Sequence, residues 1–409
     1  MITGLKMKFR KSLLLRKGIV TILIMVVYLF GRNVALPHVV ITNKGLDEML
    51  QLASITTGGD MASNSVFSLG LTPWMTAVII MSLFTMRQDS TFAKKSQKEQ
   101  SMWQMLLALV LGVLQGLVKI METDFEVPGL GPKLAALVVL LGGSFFVVWL
   151  ASMNTQFGVG GAGAIFMSNI VMANGKMLGP GISYVLKHRQ LLWPALIGGT
   201  LIMVLIIMVA VIFDRSEYRM PLKRVMVTNE YGNDIYLPIK TAPAGAMPVM
   251  FGMALVTLPQ YFCQLLLVIW PDSKILNWLT TNLVINSALG TVAYIISLLA
   301  LSLAFAYVNI NPEDTAEGLQ KSGDYITGIA YGDETKKYIA HYMWHMGILG
   351  GLYMAVIAGC PLILGLYYPE LQRMVLLPGN LMLNTTFFLV IIDQIRTLRL
   401  ATRYTKILD

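Results

Sequence analysis

Long apolar runs separated by short polar stretches fill this chain. Ten of them approach the about 20 residues that a helix needs to cross a hydrocarbon core. They are 18–36, 66–86, 103–120, 134–153, 162–178, 191–213, 246–270, 279–308, 343–367 and 378–396. Two are weaker than the rest. The 66–86 run carries Pro73 and several Ser and Thr residues, and the 162–178 run carries Gly163, Ser168, Asn169 and Asn174. The pattern predicts an all-α polytopic membrane protein with ten transmembrane helices, which puts both termini on one side. Two polar segments are long, 214–245 and 309–342. In the first, β-branched and polar residues alternate on either side of Gly232-Asn233, which predicts a β-hairpin.

Composition agrees with a membrane protein and excludes other classes. Hydrophobic residues make up 56% of the chain and charged residues 13%, against about 25% charged in soluble domains. The net charge of +9 would raise the question of nucleic acid in a soluble protein. Here its placement matters more. The ten-span pattern puts 22 of the 31 Lys and Arg residues on one side, in the N-terminus, 87–102, 214–245, 309–342 and the C-terminal end from Arg396. That bias assigns those segments and both termini to the cytoplasm, with no nucleic-acid partner implied. Dropping either weak span would scatter the basic loops across both sides. The layout is a basic segment 1–17, an N-terminal half 18–190, a C-terminal half 191–396 and a tail 397–409. The first run resembles a signal peptide, but no small-residue cleavage pattern follows it, so it is read as a retained helix. Cys263 and Cys360 both fall in apolar spans and form no metal or redox motif.

One short pattern occurs twice. Gly70, Pro73 and Met75 open the second span, and Gly245, Pro248 and Met250 open the seventh, 175 residues later. Both read G-x-x-P-x-M. An odd number of spans separates them, so they enter from opposite sides, as inverted-topology repeats do. A three-letter match in a Gly- and Met-rich chain also has a chance explanation. Gly and Pro at matching places in two halves point to a central pathway. Residues 45–66 are too polar to span. They form either an outer loop or a lid folded back into that pathway.

The pathway carries little charge. Coupled transporters keep Asp, Glu or His deep in their spans. Here the central polar residues are amides and hydroxyls: Gln115, Asn169, Gln260, Gln264, Asn282, Asn286, Asn384, Thr385 and Thr386. They serve as interhelical hydrogen bonds or as a wet pore lining. A secondary transporter is therefore the weaker alternative. No P-loop, H-E-x-x-H or G-x-S-x-G is present, so no catalytic, cofactor or metal site is expected, and energy has to come from a cytoplasmic partner. The two long cytoplasmic loops are either solvated or docking surfaces for it.

Four stretches resemble the SecY/Sec61α family of protein-conducting channels. They are Gly58-Gly59 with Ser68-Leu69-Gly70, Pro73 and Ala77; Leu237-Pro238-Ile239-Lys240 with Ala244-Gly245 and Pro248; Gly158-x-Gly160; and Asn311-Pro312-Glu313-Asp314 with Ala316, Leu319, Lys321-Ser322-Gly323, Ile326, Gly328-Ile329, Gly332, Thr335 and Tyr338. The last is long and specific. The resemblance runs from about residue 16 to 405 and implies ten helices in two inverted halves.

It also implies a mechanism. An hourglass pore would narrow at a ring matched by Leu71 and Met75 on helix two, Met167 on helix five, Met250 on helix seven and Thr386 on helix ten. Such a ring closes around a passing chain and dewets when empty, and unbranched Met adapts to varied side chains. The plug would be residues 45–66, with Gly58, Gly59, Asp60 and Asn64, and Phe67 at its end. A lateral gate would open between helices two/three and seven/eight toward the lipid bilayer. A motor would dock on Arg219, Lys223, Arg224, Lys240, Lys321, Lys336, Lys337 and the Ala330-Tyr331 tip. At that tip the family usually has Arg and Pro. With the polar Thr386, this departure makes the chain look more like the accessory SecY of Gram-positive bacteria than a housekeeping SecY. That branch implies an accessory SecA-type ATPase, accessory Sec proteins, small SecE- and SecG-like membrane subunits, and serine-rich glycosylated adhesins as secretory cargo.

Overall fold

A computed structural model describes residues 13–37, 39, 54, 58–61, 63–85, 96–121, 123–125, 129–187, 192–224, 235–285, 287–368 and 374–408. The basic segment before Leu13, most of the predicted plug (45–53, 55–57 and 62) and the Gly232-Asn233 turn lie outside the described residues. The first seven helices follow the first seven predicted spans: α1 (Leu13–Arg32), α2 (Thr72–Thr85), α3 (Gln97–Met121), α4 (Leu130–Phe157), α5 (Gly161–Lys187), α6 (Leu192–Arg215) and α7 (Met247–Ile269). The others are α8 (Lys274–Asn282), α9 (Ala288–Asn309), α10 (Pro312–Ser322), α11 (Asp333–Met354), α12 (Cys360–Tyr367) and α13 (Leu377–Leu408). Among the described residues, eight helices are long and apolar enough to cross a membrane. The two remaining spans are the two the sequence marks as weak. α2 has only 14 residues, about 21 Å at 1.5 Å per residue, and α5 is diluted by Gly, Ser and Asn.

Several boundaries differ from the sequence pattern, each for a local reason. The second helix begins at Thr72, not 66, because Gly70 turns into the left-handed region at φ 50° and Pro73 in the first turn cannot continue a helix upstream. The helix of the eighth span, α9, begins at Ala288, where Ser287 caps it by accepting from the Gly290 N–H at 3.0 Å. Residues 274–282 form the separate helix α8. The ninth span starts early, at Asp333, and widens to a π-turn at Ala355–Gly359 just before Pro361. That turn accommodates the hydrogen bond proline cannot donate. α13 runs unbroken into the region expected as a separate tail at 397.

The two G-x-x-P-x-M copies share a conformation. In each, Gly has positive φ (50° at Gly70, 60° at Gly245), the helix starts two residues later, and Pro is its second residue. The glycines and prolines thus start these helices and do not interrupt them. The main core lies between the halves. It joins Leu71, Ile165, Phe166 and Ile170 of the first half to Val249, Met250, Tyr294, Leu298 and Met382 of the second. α7 packs on α2, α3 and α9. Cys263 is buried and Cys360 faces outward.

The two long polar loops fold as one body. β1 (Glu217–Arg224), β2 (Tyr236–Lys240) and β3 (Asp324–Ile326) form a sheet in the order β2-β1-β3. Both pairings are antiparallel, with Glu217 opposite Lys240 and Leu222 opposite Ile326. β1 alternates, burying Met220 and Leu222 over Ala316 and Leu319 of α10 and Ile339 and Met343 of α11. Each such side chain contributes about 1.5–3 kcal/mol when fully buried. α10 is capped at both ends, by the Asn311 side chain and by Gly323 at φ 72°.

Candidate functional site

The candidate site is a buried apolar cluster between the two halves with a tethered stem, residues 58–61, packed against it. Leu71 and Met250 are fully buried in the cluster between the halves, and Met75 packs against it from a half-buried position. Met167 is half-buried and lies outside that cluster, to which its neighbours Ile165, Phe166 and Ile170 belong. Phe166 stacks on Phe387 of α13, with ring centroids 6.0 Å apart. Thr386 is half-buried, and its hydroxyl donates to the Met382 carbonyl at 3.2 Å. Its donor is therefore used within the helix, and only oxygen lone pairs remain to make this position polar.

The stem is residues 58–61, at the end of the bundle opposite the sheet. Gly58 and Gly59 allow a close approach to α2. The Leu71 N–H donates to the Gly58 carbonyl at 3.0 Å, and a Cβ on Gly70 would collide with that same carbonyl. Gly58, at φ 96°, lies against the Phe166 ring, so a side chain there is excluded twice. The Asp60 N–H donates to the Ser68 carbonyl at 2.8 Å.

Four helices hold this stem. Arg32, at the end of α1, forms an ion pair with Asp60, and both side chains are nearly inaccessible. Arg32 Nη1 also donates to Asn169 Oδ1 at 2.9 Å, and the Tyr28 hydroxyl donates to the same oxygen at 2.6 Å. The other end of the Asn169 amide donates to the Gly58 carbonyl at 3.0 Å. Lys119 of α3 donates to the Met61 carbonyl at 2.6 Å, and the Tyr261 hydroxyl of α7 reaches Met61 Sδ at 3.3 Å. Buried charge is expensive unless paired. Here Arg32 is spent on Asp60 and Asn169, and Lys119 on a backbone carbonyl. Asn64 and Phe67 continue the segment. The Asn64 carbonyl accepts from the Leu36 N–H at 2.9 Å, and Phe67 stacks on Tyr28 with centroids 6.1 Å apart.

Gly58, Gly59, Asp60, Asn64 and Phe67 stood out in the sequence, but the residues that hold them did not. Arg32 and Lys119 were legible as charges stranded at span ends on the side poor in basic residues. Asn169 was legible as a central amide. Tyr28 and Tyr261 carried no signal.

At the sheet end, the expected docking cations divide. Arg224 makes two bonds to Asp324, at 2.7 and 3.1 Å, and this holds the Asp324 carboxyl below its usual range. Arg219 bonds Glu217 at 2.8 Å and lies over the Tyr236 ring at 4.7 Å. Lys321 pairs with Glu317 and Lys336 with Glu313. Lys223, Lys240 and Lys337 form no ion pair among the described residues. Ala330 and Tyr331 are exposed. The tip is fixed by the Ala330 N–H donating to Glu334 at 3.2 Å and the Thr335 hydroxyl donating to the Ala330 carbonyl at 2.8 Å.

Comparison with known proteins gives a consistent result. The family model described as SecY matches residues 65–395. A relative called accessory Sec system protein translocase subunit SecY2, from Leuconostoc gelidum subsp. gasicomitatum, is 31% identical, covering 97% of both chains. Another of that name, from Streptococcus agalactiae serotype III, is 32% identical, covering 98% of both. A solved structure described as a protein-conducting channel superimposes with a TM-score of 0.69 at 16% identity, covering 96% of this chain and 94% of its own. A second, on the plug domain of SecY and the closed state of the channel, gives 0.64 over the same shares.

Proposed function

This chain belongs to the SecY family, and we propose that it is the pore subunit of an accessory Sec translocase in the cytoplasmic membrane. It passes extended secretory polypeptides, including serine-rich glycosylated adhesins, from the cytoplasm outward. The sheet end is cytoplasmic and both termini lie on that side. The observation that carries this reading is the stem 58–61, held by α1, α3, α5 and α7 directly against Leu71 and Phe166 of the cluster that also holds Met250. A buried, polar-tethered segment against an apolar constriction suits a removable stopper. Leu71, Met75, Met167, Met250 and Thr386 form the ring that closes on the chain in transit, and an apolar segment leaves between α2/α3 and α7/α9.

The chain does no chemistry. A SecA-type ATPase, with accessory Sec proteins, docks on the sheet body. Lys223, Lys240, Lys337 and Tyr331 are its contacts, because the other basic side chains there are engaged internally. Small SecE- and SecG-like subunits complete the complex in the bilayer.

Photocrosslinking tests this function. A stalled secretory chain crosslinks to probes at Met75 and Met250 but not at Leu201, which is exposed on α6. Absence of crosslinks at both pore positions refutes the pore assignment. Depletion tests the branch. General secretion continues without this protein if it is the accessory form, and a general secretion arrest makes it a housekeeping SecY.

A further inference from the structure

We propose that α8 is an interfacial anchor, lying in the plane of the membrane with Trp270, Ile275 and Trp278 seated among outer-leaflet phospholipids at the boundary of headgroups and acyl chains. At nine residues it is far too short to span, and none of its side chains is buried in the protein. Its sequence is two-sided. Turning 100° per residue, Trp278, Ile275, Leu279 and Leu276 share one face, and Lys274, Asn277, Thr280 and Thr281 share the other; Asn282, the last residue, falls on the apolar side and turns its amide back to the Trp278 carbonyl at 2.9 Å. The apolar face is itself divided. Leu276 and Leu279 are half-buried on the side where α8 packs against α7. Ile275 and Trp278 point away from the protein and are 72% and 56% exposed, and Trp270 at the end of α7 is 59% exposed.

The occupant follows from continuity. α8 joins the end of α7 to the start of α9, whose outward residues Leu289, Val292 and Ile296 are also exposed apolar side chains. Ile275 and Trp278 thus extend the lipid-facing surface of the bundle. Trp is favoured at the headgroup level, and an amphipathic helix seats its apolar face there. The ends suit this depth. Ser273 caps the helix, and the Pro271 carbonyl accepts from the Asn277 side chain at 3.2 Å, so the turn into α8 satisfies its own polar groups. The anchor fixes the depth of α7 and α9 at the outer mouth of the proposed gate. Its assignment to the outer leaflet rests on the topology proposed above.

The test uses the full chain in phosphatidylcholine–phosphatidylglycerol vesicles, with both cysteines replaced (Cys263→Ala, Cys360→Ser). A fluorescent probe is placed at Ile275→Cys or, on the polar face, at Asn277→Cys. Both side chains are exposed, so neither probe fills a packed site; Asn277→Cys gives up the bond to the Pro271 carbonyl, while the Ser273 cap stays in place. The Ile275 probe is expected to be quenched severalfold more by lipids spin-labelled near the headgroup than by lipids labelled at the chain end. It is also expected to be shielded from aqueous iodide, with the Asn277 probe open to iodide. Equal iodide access at both positions overturns the proposal. So does shielding of Ile275 without quenching by any labelled lipid, which means burial against the chain itself, or shielding that varies with protein-to-lipid ratio, which means a second copy. Iodide reaching the Asn277 probe only from the face that carries β1–β3 contradicts the topology and leaves the depth result standing.

Discussion

Arg32 and Asp60 pair across the space between α1 and the stem, with Asn169 bonded to the same guanidinium. Removing one partner of a buried pair costs about 3–5 kcal/mol, because it strands the other charge. If the pair holds the stem in the closed channel, Arg32→Gln shifts the closed–open balance about 100-fold or more. Resting ion conductance in planar bilayers then rises sharply, and the exchanged pair Arg32→Asp with Asp60→Arg recovers part of the seal. Unchanged conductance in Arg32→Gln means that the pair does not hold the stopper.

The glycines of the two helix starts make a matched comparison. Gly70 and Gly245 both have positive φ, which costs another residue about 1–2 kcal/mol. A Cβ at Gly70 also meets the Gly58 carbonyl, but at Gly245 it meets nothing within 4 Å. Gly70→Ala is therefore expected to lower thermal stability in detergent more than Gly245→Ala. Equal losses would mean that the contact with the stem contributes nothing.

The same comparison shows what could be read from sequence. Hydropathy located the eight long apolar helices among the described residues because lipid demands them, and the two runs it marks as weak fold as a 14-residue helix and a helix diluted by Gly, Ser and Asn. The repeated Gly and Pro marked two helix starts of matching conformation because backbone conformation there is imposed by residue type. What was not legible depends on contacts distant in sequence. Nothing local links Arg32 to Asp60, Asn169 to Gly58, or Lys119 to the Met61 carbonyl. Nor does either polar loop alone reveal that Asp324–Ile326 completes a sheet begun at Glu217.

That sheet has a pH dependence whose sign can be assigned. Bonding to Arg224, the larger cause, holds the Asp324 carboxyl below its ordinary value of 3.8. A group depressed in the folded state stabilises above its unfolded pKa and loses that contribution as pH falls through the folded one. The Arg224 side chain is about half exposed, so solvent screens the pair and its contribution is small. The protection factors of the β3 amides, which remove the intrinsic pH dependence of exchange, are expected to be unchanged from neutral pH down to about 5. They fall only below the ordinary carboxylate range, and Asp324→Asn should show the lower protection already at neutral pH. Protection that is identical in the variant would remove this pair as the clasp between the two loops.

Thr386 tests the ring. Its hydroxyl donates to Met382, so the position is less polar than its composition implies, but the oxygen can still accept from water where Ile could not. An apolar constriction excludes ions by dewetting, and each polar atom in it weakens that barrier. Thr386→Ile is therefore expected to lower ion leak through a channel whose stem has been loosened by Arg32→Gln, where the ring is the remaining seal. It should also slow export of a glycosylated cargo relative to an unglycosylated one, because sugar hydroxyls lose an acceptor at the narrowest point. Leak and cargo ratio both unchanged would mean that Thr386 does not face the passing chain, and that the ring on this side is made by another residue of α13.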